Sequence, residues 1–343
     1  MIKDYNPPTT SSQASLGPLE LICKLNKDWQ PGNIKLKKAG GQTNRNWIVQ
    51  YKDKKFFVRL PWERADVVDR AIEAKNIFAL SRNKKIRKIL PKYYLYIYRG
   101  KNILQPRSKE VLDVPEGTMV TEYIPGRLFT TFLFRKKEYQ EKLAEMFYIF
   151  HTSGVRFVNK YNVFRNEIEK YRLAAEKYPI SQLISSKAIS RLENIEKEAE
   201  RVIPFSKKGI STHNDFIFQN FLVRKNGKIY LLDFEYAGLN EKGGILYDYG
   251  FLFADNLFRK PAINQELFEK FLAVVDKIYK KPLNRNQIYW SAIAATLVMF
   301  WWGLIRYFSV GTKIEKNYFK DYSLKRARGV EFLYNIVSKN NES

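Results

Sequence analysis

From Ile288 to Ile305 the chain reads IYWSAIAATLVMFWWGLI, without a single charged residue. That length reaches the lower edge of what crosses a bilayer, so the segment either lies in lipid or is enclosed by protein on every side. Ser291, Thr296 and Gly303 dilute its hydrophobicity, and the preceding LFEKFLAVVDKIYKK is amphipathic rather than membrane-like. The expectation is a buried helix inside a large helical domain, with no transmembrane segment. A chain of 343 residues, 45% of them hydrophobic, is long enough to enclose it, as one big domain or two lobes.

A single cysteine, Cys23, excludes an internal disulfide and any cysteine-based zinc cluster, which makes a reducing cytoplasm the expected setting. The opening MIKDYNPPTTSSQASLGP is polar and lacks an apolar core, so it reads as a flexible leader over residues 1–18 and not as a secretory signal. The formal net charge of +25 suggests a polyanionic partner at first sight. Its lysines, however, are scattered through stretches such as RNKKIRKIL and FRKKEY. A solvated basic surface accounts for them, and no dedicated nucleic-acid partner is expected.

The organisation changes near residue 122. Before it, NWIVQYKDKKFFVRL reads as two β-runs joined by a polar turn, YYLYIYRGKNILQ as a second hairpin and MVTEYI as a last strand. ADVVDRAIEAKNIFALSRN carries apolar residues at helical spacing between them. After residue 135 helical patterns dominate: KEYQEKLAEMFYIFHTSG, FRNEIEKYRLAAEKY, SKAISRLENIEKEAERVI and NQELFEKFLAVVDKIY. NFLVRKNGKIYLLDFEYAG interrupts them as a hairpin turning at Asn226 and Gly227.

That hairpin gives STHNDFIFQNF, residues 211–221, a chemical meaning. Asp215 falls on a loop, Asn220 at the start of the next strand and Asp233 at the end of the hairpin's second strand, where LLDFE turns from apolar to acidic. Three oxygen-bearing side chains then converge at one edge of a small sheet. Phosphoryl transfer wants this set: one aspartate accepts and orients a hydroxyl, while an amide and a second carboxylate hold Mg2+ on the triphosphate of ATP. H-x-D-x-x-x-x-N followed by D-F-x has the spacing of kinase catalytic and metal loops. His213 reads as a packed structural residue.

A phosphate loop and a cation are then expected earlier in the chain. AGGQTNRNWIV places Gly40, Gly41, Thr43 and Asn44 in a turn before a strand, where glycines let backbone N–H groups approach phosphate oxygens. FFVRLP supplies Arg59 on a strand and DRAIEAKN supplies Glu73 on the helix. A strand cation paired to a helix glutamate is the kinase arrangement, here with arginine in the place of lysine.

GGQTNRNWIV, FFVRLP, VDRAIEAKN, FHTSGVRFVNKYNVFRNEIEKY, THNDFIFQNFL and YLLDFEYAGLN together resemble the successive signatures of choline/ethanolamine kinases, especially bacterial choline kinases, within the aminoglycoside-phosphotransferase-like superfamily. The resemblance runs from about residue 36 to about residue 330. It implies an α+β, bilobal protein-kinase-like fold with a small β-rich N-lobe over 19–122 and a larger, mostly helical C-lobe over 123–343. It further implies ATP in the cleft, adenine held by the backbone near Glu122 to Ile124, and Mg2+ bound by Asn220 and Asp233. The acceptor would be choline or a related amino alcohol, its ammonium faced by Tyr236, Trp302 and Tyr322, because a quaternary ammonium has no N–H and is drawn to ring faces. Where the family has a second tryptophan three residues beyond Trp302, this chain has Ile305, which thins the cage. An aminoglycoside kinase, with an acidic acceptor pocket, and a catalytically dead kinase-like binding protein are the alternatives. A protein kinase is disfavoured by the lack of G-x-G-x-x-G, D-F-G and A-P-E segments.

Overall fold

The computed structural model describes residues 16–40, 44–61 and 69–340. They form two compact units, one built from the chain up to Arg70 together with Tyr93–Tyr123, the other from Ala71–Lys92 together with the chain from Ile124 onward. The expected leader lies outside the described residues up to Ser15, and Pro18 already opens a helix.

The first unit holds α1 (Pro18–Cys23), β1 (Ile34–Ala39), β2 (Asn44–Tyr51), β3 (Lys54–Pro61), β4 (Tyr93–Tyr98), β5 (Lys101–Asn102) and β6 (Met119–Glu122). The strands make one antiparallel sheet in the order β1-β2-β3-β6-β4-β5. Alternation fixes its buried face: Val58 and Leu60 of β3 pack with Val49, Ile97, Val120, Ile22 and Trp29. Arg59 lies between those two valine and leucine positions and therefore points to the opposite face. The β2–β3 connection turns tightly at Lys52, whose φ of 54° is left-handed.

The second unit opens with α2 (Arg70–Arg82), of which Arg70 belongs to the first. It continues through β7 (Arg127–Leu128), α3 (Thr131–Phe134), α4 (Lys137–His151), β8 (Lys160–Tyr161), α5 (Lys170–Ala175), α6 (Ser186–Val202) and β9 (Phe205–Thr212). After these come β10 (Phe221–Val223), β11 (Ile229–Leu231), β12 (Gly238–Lys242), α7 (Ile245–Asn256), α8 (Gln265–Tyr279), α9 (Arg285–Ser309) and α10 (Lys313–Asn340). Sequence sets several of the boundaries: Ser185, Asn264 and Asn284 cap α6, α8 and α9 by accepting from backbone N–H groups three residues on. The helix expected over FRNEIEKYRLAAEKY is divided. Residues 163–169 form a wider π-turn, and the α-helix proper begins at Lys170.

α9 carries the uncharged stretch and is the core of this unit, 89% of its most apolar 18-residue window being buried. It is long and apolar enough to cross a membrane, and protein encloses it instead. α7, α10, α6 and α5 pack around it. Gly250 lets α7 come close, since a Cβ there would lie 2.6 Å from the Ala292 backbone nitrogen.

Two three-stranded sheets lie in the same unit. One is ordered β11-β10-β7, the other β8-β12-β9 with β8 and β12 parallel. Gly227 makes the β10–β11 turn with φ of 78°.

Candidate active site

β9 ends at Thr212, and the loop that follows is held from beneath by a residue the sequence reasoning passed over. Asp248 of α7 is wholly buried, and its carboxylate accepts from the backbone N–H of His213 at 3.1 Å and of Asn214 at 2.8 Å. The same carboxylate meets His151 Nε2 at 2.9 Å. A carboxylate there accepts, so Nε2 carries the proton; Nδ1 takes the Tyr279 hydroxyl at 2.8 Å, itself reached by the Tyr249 hydroxyl at 3.2 Å. An acid inside an apolar run, YDYG, was the available signal.

Asn214 adopts a left-handed φ of 64°, which asparagine tolerates better than most residues. Its side chain repays the strain with three bonds: Oδ1 accepts from Thr212 Oγ1 at 2.7 Å and Asn240 Nδ2 at 2.9 Å, and Nδ2 donates to the Tyr236 carbonyl at 2.9 Å. Asn214 therefore ties the loop both to β12 and to the segment after Asp233. His213 is packed among Phe150, Phe216 and Phe234 and donates from Nε2 to the Leu232 carbonyl at 2.8 Å. Burial lowers its pKa to about 4, so it stays neutral.

Asp215 is half-buried above this scaffold. Asn220, at the end of the turn 218–220, donates through Nδ2 to Asp215 Oδ2 and to its backbone carbonyl, each at 2.9 Å. Burial, and then the neighbouring Asp233 charge, push the Asp215 carboxyl up to about 8, against the Asn220 hydrogen bond. Asp233 follows β11 with φ of 59°. The Leu232 N–H donates to the Asn220 carbonyl at 2.8 Å, one bond beyond the β10–β11 ladder, which fixes the spacing between Asn220 and Asp233. The three residues singled out in sequence are thus brought together.

Their donor set suits a magnesium ion. Two mutually repelling carboxylates favour a cation, and Asn220, whose NH2 is committed to Asp215, leaves its carbonyl oxygen for a hard ion. Among the described residues no group of three or more Asp, Glu, His or Cys side chains forms a self-contained metal cage. Mg2+ characteristically takes one or two protein oxygens and completes its shell with phosphate and water.

The aromatic residues are distributed differently from a single cage. Trp302 of α9 and Tyr322 of α10 meet edge to face at 5.7 Å, and Trp302 also meets Phe319 at 5.5 Å. No ring contact among the described residues joins Tyr236 to either of them. The Tyr322 ring already carries the Arg326 guanidinium at 4.7 Å. Ile305 lies half-buried on α9, one turn beyond Trp302.

In the first unit Arg59 is buried and donates to the Gly117 carbonyl at 3.1 Å, and Glu122 ends β6 opposite Phe56. Asn44 begins β2 and is buried, whereas a Cβ on Gly40 would meet open space. Gly41 and Thr43 lie outside the described residues. In the second unit Glu73 is buried on α2, and Ile124 is the buried residue at which the chain enters that unit.

Residues 105–270 match the choline/ethanolamine kinase family model. Protein LicA of Haemophilus influenzae is 23% identical over 304 residues, 86% of this chain and 78% of LicA. The crystal structure of choline kinase LicA from Streptococcus pneumoniae superposes with a TM-score of 0.68 at 20% identity, covering 92% of this chain and 97% of that one. A putative aminoglycoside phosphotransferase from Ralstonia eutropha superposes at 0.63 with 12% identity, over 92% and 98%. The chain has the protein-kinase-like fold of these enzymes, and its residues 105–270 carry the sequence pattern of choline/ethanolamine kinases.

Proposed function

We propose that the protein is an ATP-dependent kinase that transfers the γ-phosphoryl group to the hydroxyl of choline or a related amino alcohol. One observation supports this most: the Asp215–Asn220 hydrogen bond at 2.9 Å, with Asp233 close enough for its charge to raise the Asp215 pKa. Asp215 orients the acceptor hydroxyl and takes its proton as the new P–O bond forms and the bond to the β-phosphate oxygen breaks. Burial increases its affinity for that proton, and the Asp248 and Asn214 bonds hold the loop still while it acts. Asn220 and Asp233 would hold Mg2+, which supplies charge neutralisation at the phosphates. Trp302, Tyr322 and Tyr236 would wall the acceptor, and the roles that the resemblance gives to Arg59 and to the backbone at Glu122 belong to the same reading.

The test is ATP consumption with choline, ethanolamine and kanamycin, measured for the wild type and for Asp215→Asn. Turnover of an amino alcohol is expected, with the variant slower by about 10²-fold or more at unchanged ATP affinity, as for loss of a general base. Turnover of kanamycin alone would reassign the acceptor, and near wild-type turnover by Asp215→Asn would overturn the role of Asp215.

A further inference from the structure

A cavity of about 690 Å³ opens in the second unit at the far end of the β9–β12 ladder. The two strands pair antiparallel, with Gly238 opposite Thr212 and Lys242 opposite Phe205. Thr212 leads into the loop that carries Asp215, whereas Phe205, Lys207 and Lys242 line the cavity. From Lys207 to Thr212 the strand runs about 16 Å, at about 3.3 Å per residue. The cavity therefore lies outside the Asp215 site.

Its charges do not cancel. Lys160 pairs with Glu241 at 2.6 Å, both in the lining. Lys242 donates to the carbonyls of Glu200 and Ile203 at 2.5 and 3.1 Å; burial lowers its pKa, and the Glu200 carboxylate, in the same wall, works against that. Each acid of the lining thus has a lysine, and Arg165 and Lys207 are left over. Both are exposed at the cavity, and neither side chain makes an ion pair or a hydrogen bond among the described residues. Two amides of the same lining are fixed in orientation. Asn162, 7% exposed, accepts through Oδ1 from the Phe164 N–H at 3.1 Å, and Asn166 accepts through its own Oδ1 from the Asn162 N–H at 2.6 Å. With each oxygen engaged by backbone, the groups left free are the NH2 donors, and neither has an acceptor among the described residues. Arg165 and Asn166 belong to the π-turn 163–169, a distortion frequent at functional sites. Two uncompensated cations and two idle amides around one cavity call for an anion rich in acceptor oxygens.

We propose that this cavity binds a small phosphate ester, its phosphate held by the charges of Arg165 and Lys207 and by the amides of Asn162 and Asn166. A phosphate monoester dianion matches the two surplus cations, and its three terminal oxygens can take the arginine fork and still accept from lysine and amide, which a carboxylate's two oxygens serve less well. The cavity has room for a small ester. Phe205, 59% exposed in its wall, gives the organic part an apolar face. Nothing in this depends on the acceptor of the Asp215 site.

The experiment is calorimetric titration of the full chain with glycerol 3-phosphate and, separately, with succinate, at about 150 mM sodium chloride, where the general basic surface is screened beyond about 8 Å. Three proteins are compared: the wild type, the double variant Arg165→Ala with Lys207→Ala, and a control, Lys313→Ala with Lys316→Ala, which removes the same charge from exposed positions on α10. Glycerol 3-phosphate should bind the wild type and the control alike and the Arg165/Lys207 variant about tenfold or more weakly, as for loss of charge-assisted bonds, with the ATP KM unchanged throughout. No binding to the wild type, equal affinity in all three proteins, or an equal loss in the control would each overturn the site. Succinate bound as tightly as glycerol 3-phosphate would overturn the choice of phosphate. Arg165→Gln with Lys207→Gln gives the same readout should the alanine variant fail to fold, and an affinity unchanged there refutes the site equally.

Discussion

A histidine sealed among phenylalanines cannot accept a proton without carrying a charge into an apolar pocket. Burial sets the folded pKa of His213 at about 4, below its unfolded value of 6.5. Between those two values the unfolded chain binds a proton that the folded chain refuses, so this contribution is complete above about 6.5 and is lost as pH falls toward 4. At about 1.4 kcal/mol per unit, the contribution is on the order of 3 kcal/mol. Urea unfolding at pH 5 and pH 7 should therefore show a larger acid-induced loss in the wild type than in His213→Gln, and equal losses would remove His213 from the account. Asp215, Asn220 and Asp233 were legible in sequence because each is a chemical type at a fixed offset. Asp248 was not, because its significance lies in what packs against it, which no spacing encodes.

α9 was legible because an uncharged run of that length has few places to go, whereas α7 was missed for a related reason. Ten of its residues, Tyr247 to Asn256, are buried, so ILYDYGFLFADN has no polar face and no helical period to betray it. The two-residue strands β7 and β8 are too short for alternation to show. Where α7 crosses α9, Gly250 would place a Cβ 2.6 Å from the Ala292 nitrogen and 2.7 Å from the Ser291 carbonyl carbon, backbone atoms that cannot swing aside. Gly250→Ala gains about 1 kcal/mol of helix propensity and loses more by forcing the helices apart, typically 1–3 kcal/mol for overpacking. The variant should melt at a lower temperature than wild type, while Gly311→Ala, with open space around its Cβ, should not. A Gly250→Ala protein as stable as wild type would mean that the α7–α9 crossing has room for a methyl group.

At the scale of the whole molecule, 60 lysines and arginines face 35 acids. Such an excess repels itself in the compact state, and salt screens it over about 10 Å at 0.1 M. The melting temperature should rise as sodium chloride goes from 10 to 200 mM, and a flat or falling trend would show that local ion pairs outweigh the net charge. The bilobal expectation placed its boundary at residues 122 and 123, and the chain does pass between the units at Tyr123 and Ile124, yet it also passes at Arg70 and at Lys92. The early helix α2 thus belongs with the later chain: Asn76 bonds Asn159, the Val158 N–H and the Ala237 carbonyl. On the ribosome, where chains fold as they emerge from the N-terminus, α2 is made long before Ala237 exists. It must wait through the synthesis of 161 further residues for that bond, so slowing translation before Ala237 lengthens the interval in which a nascent helix stands without its partners.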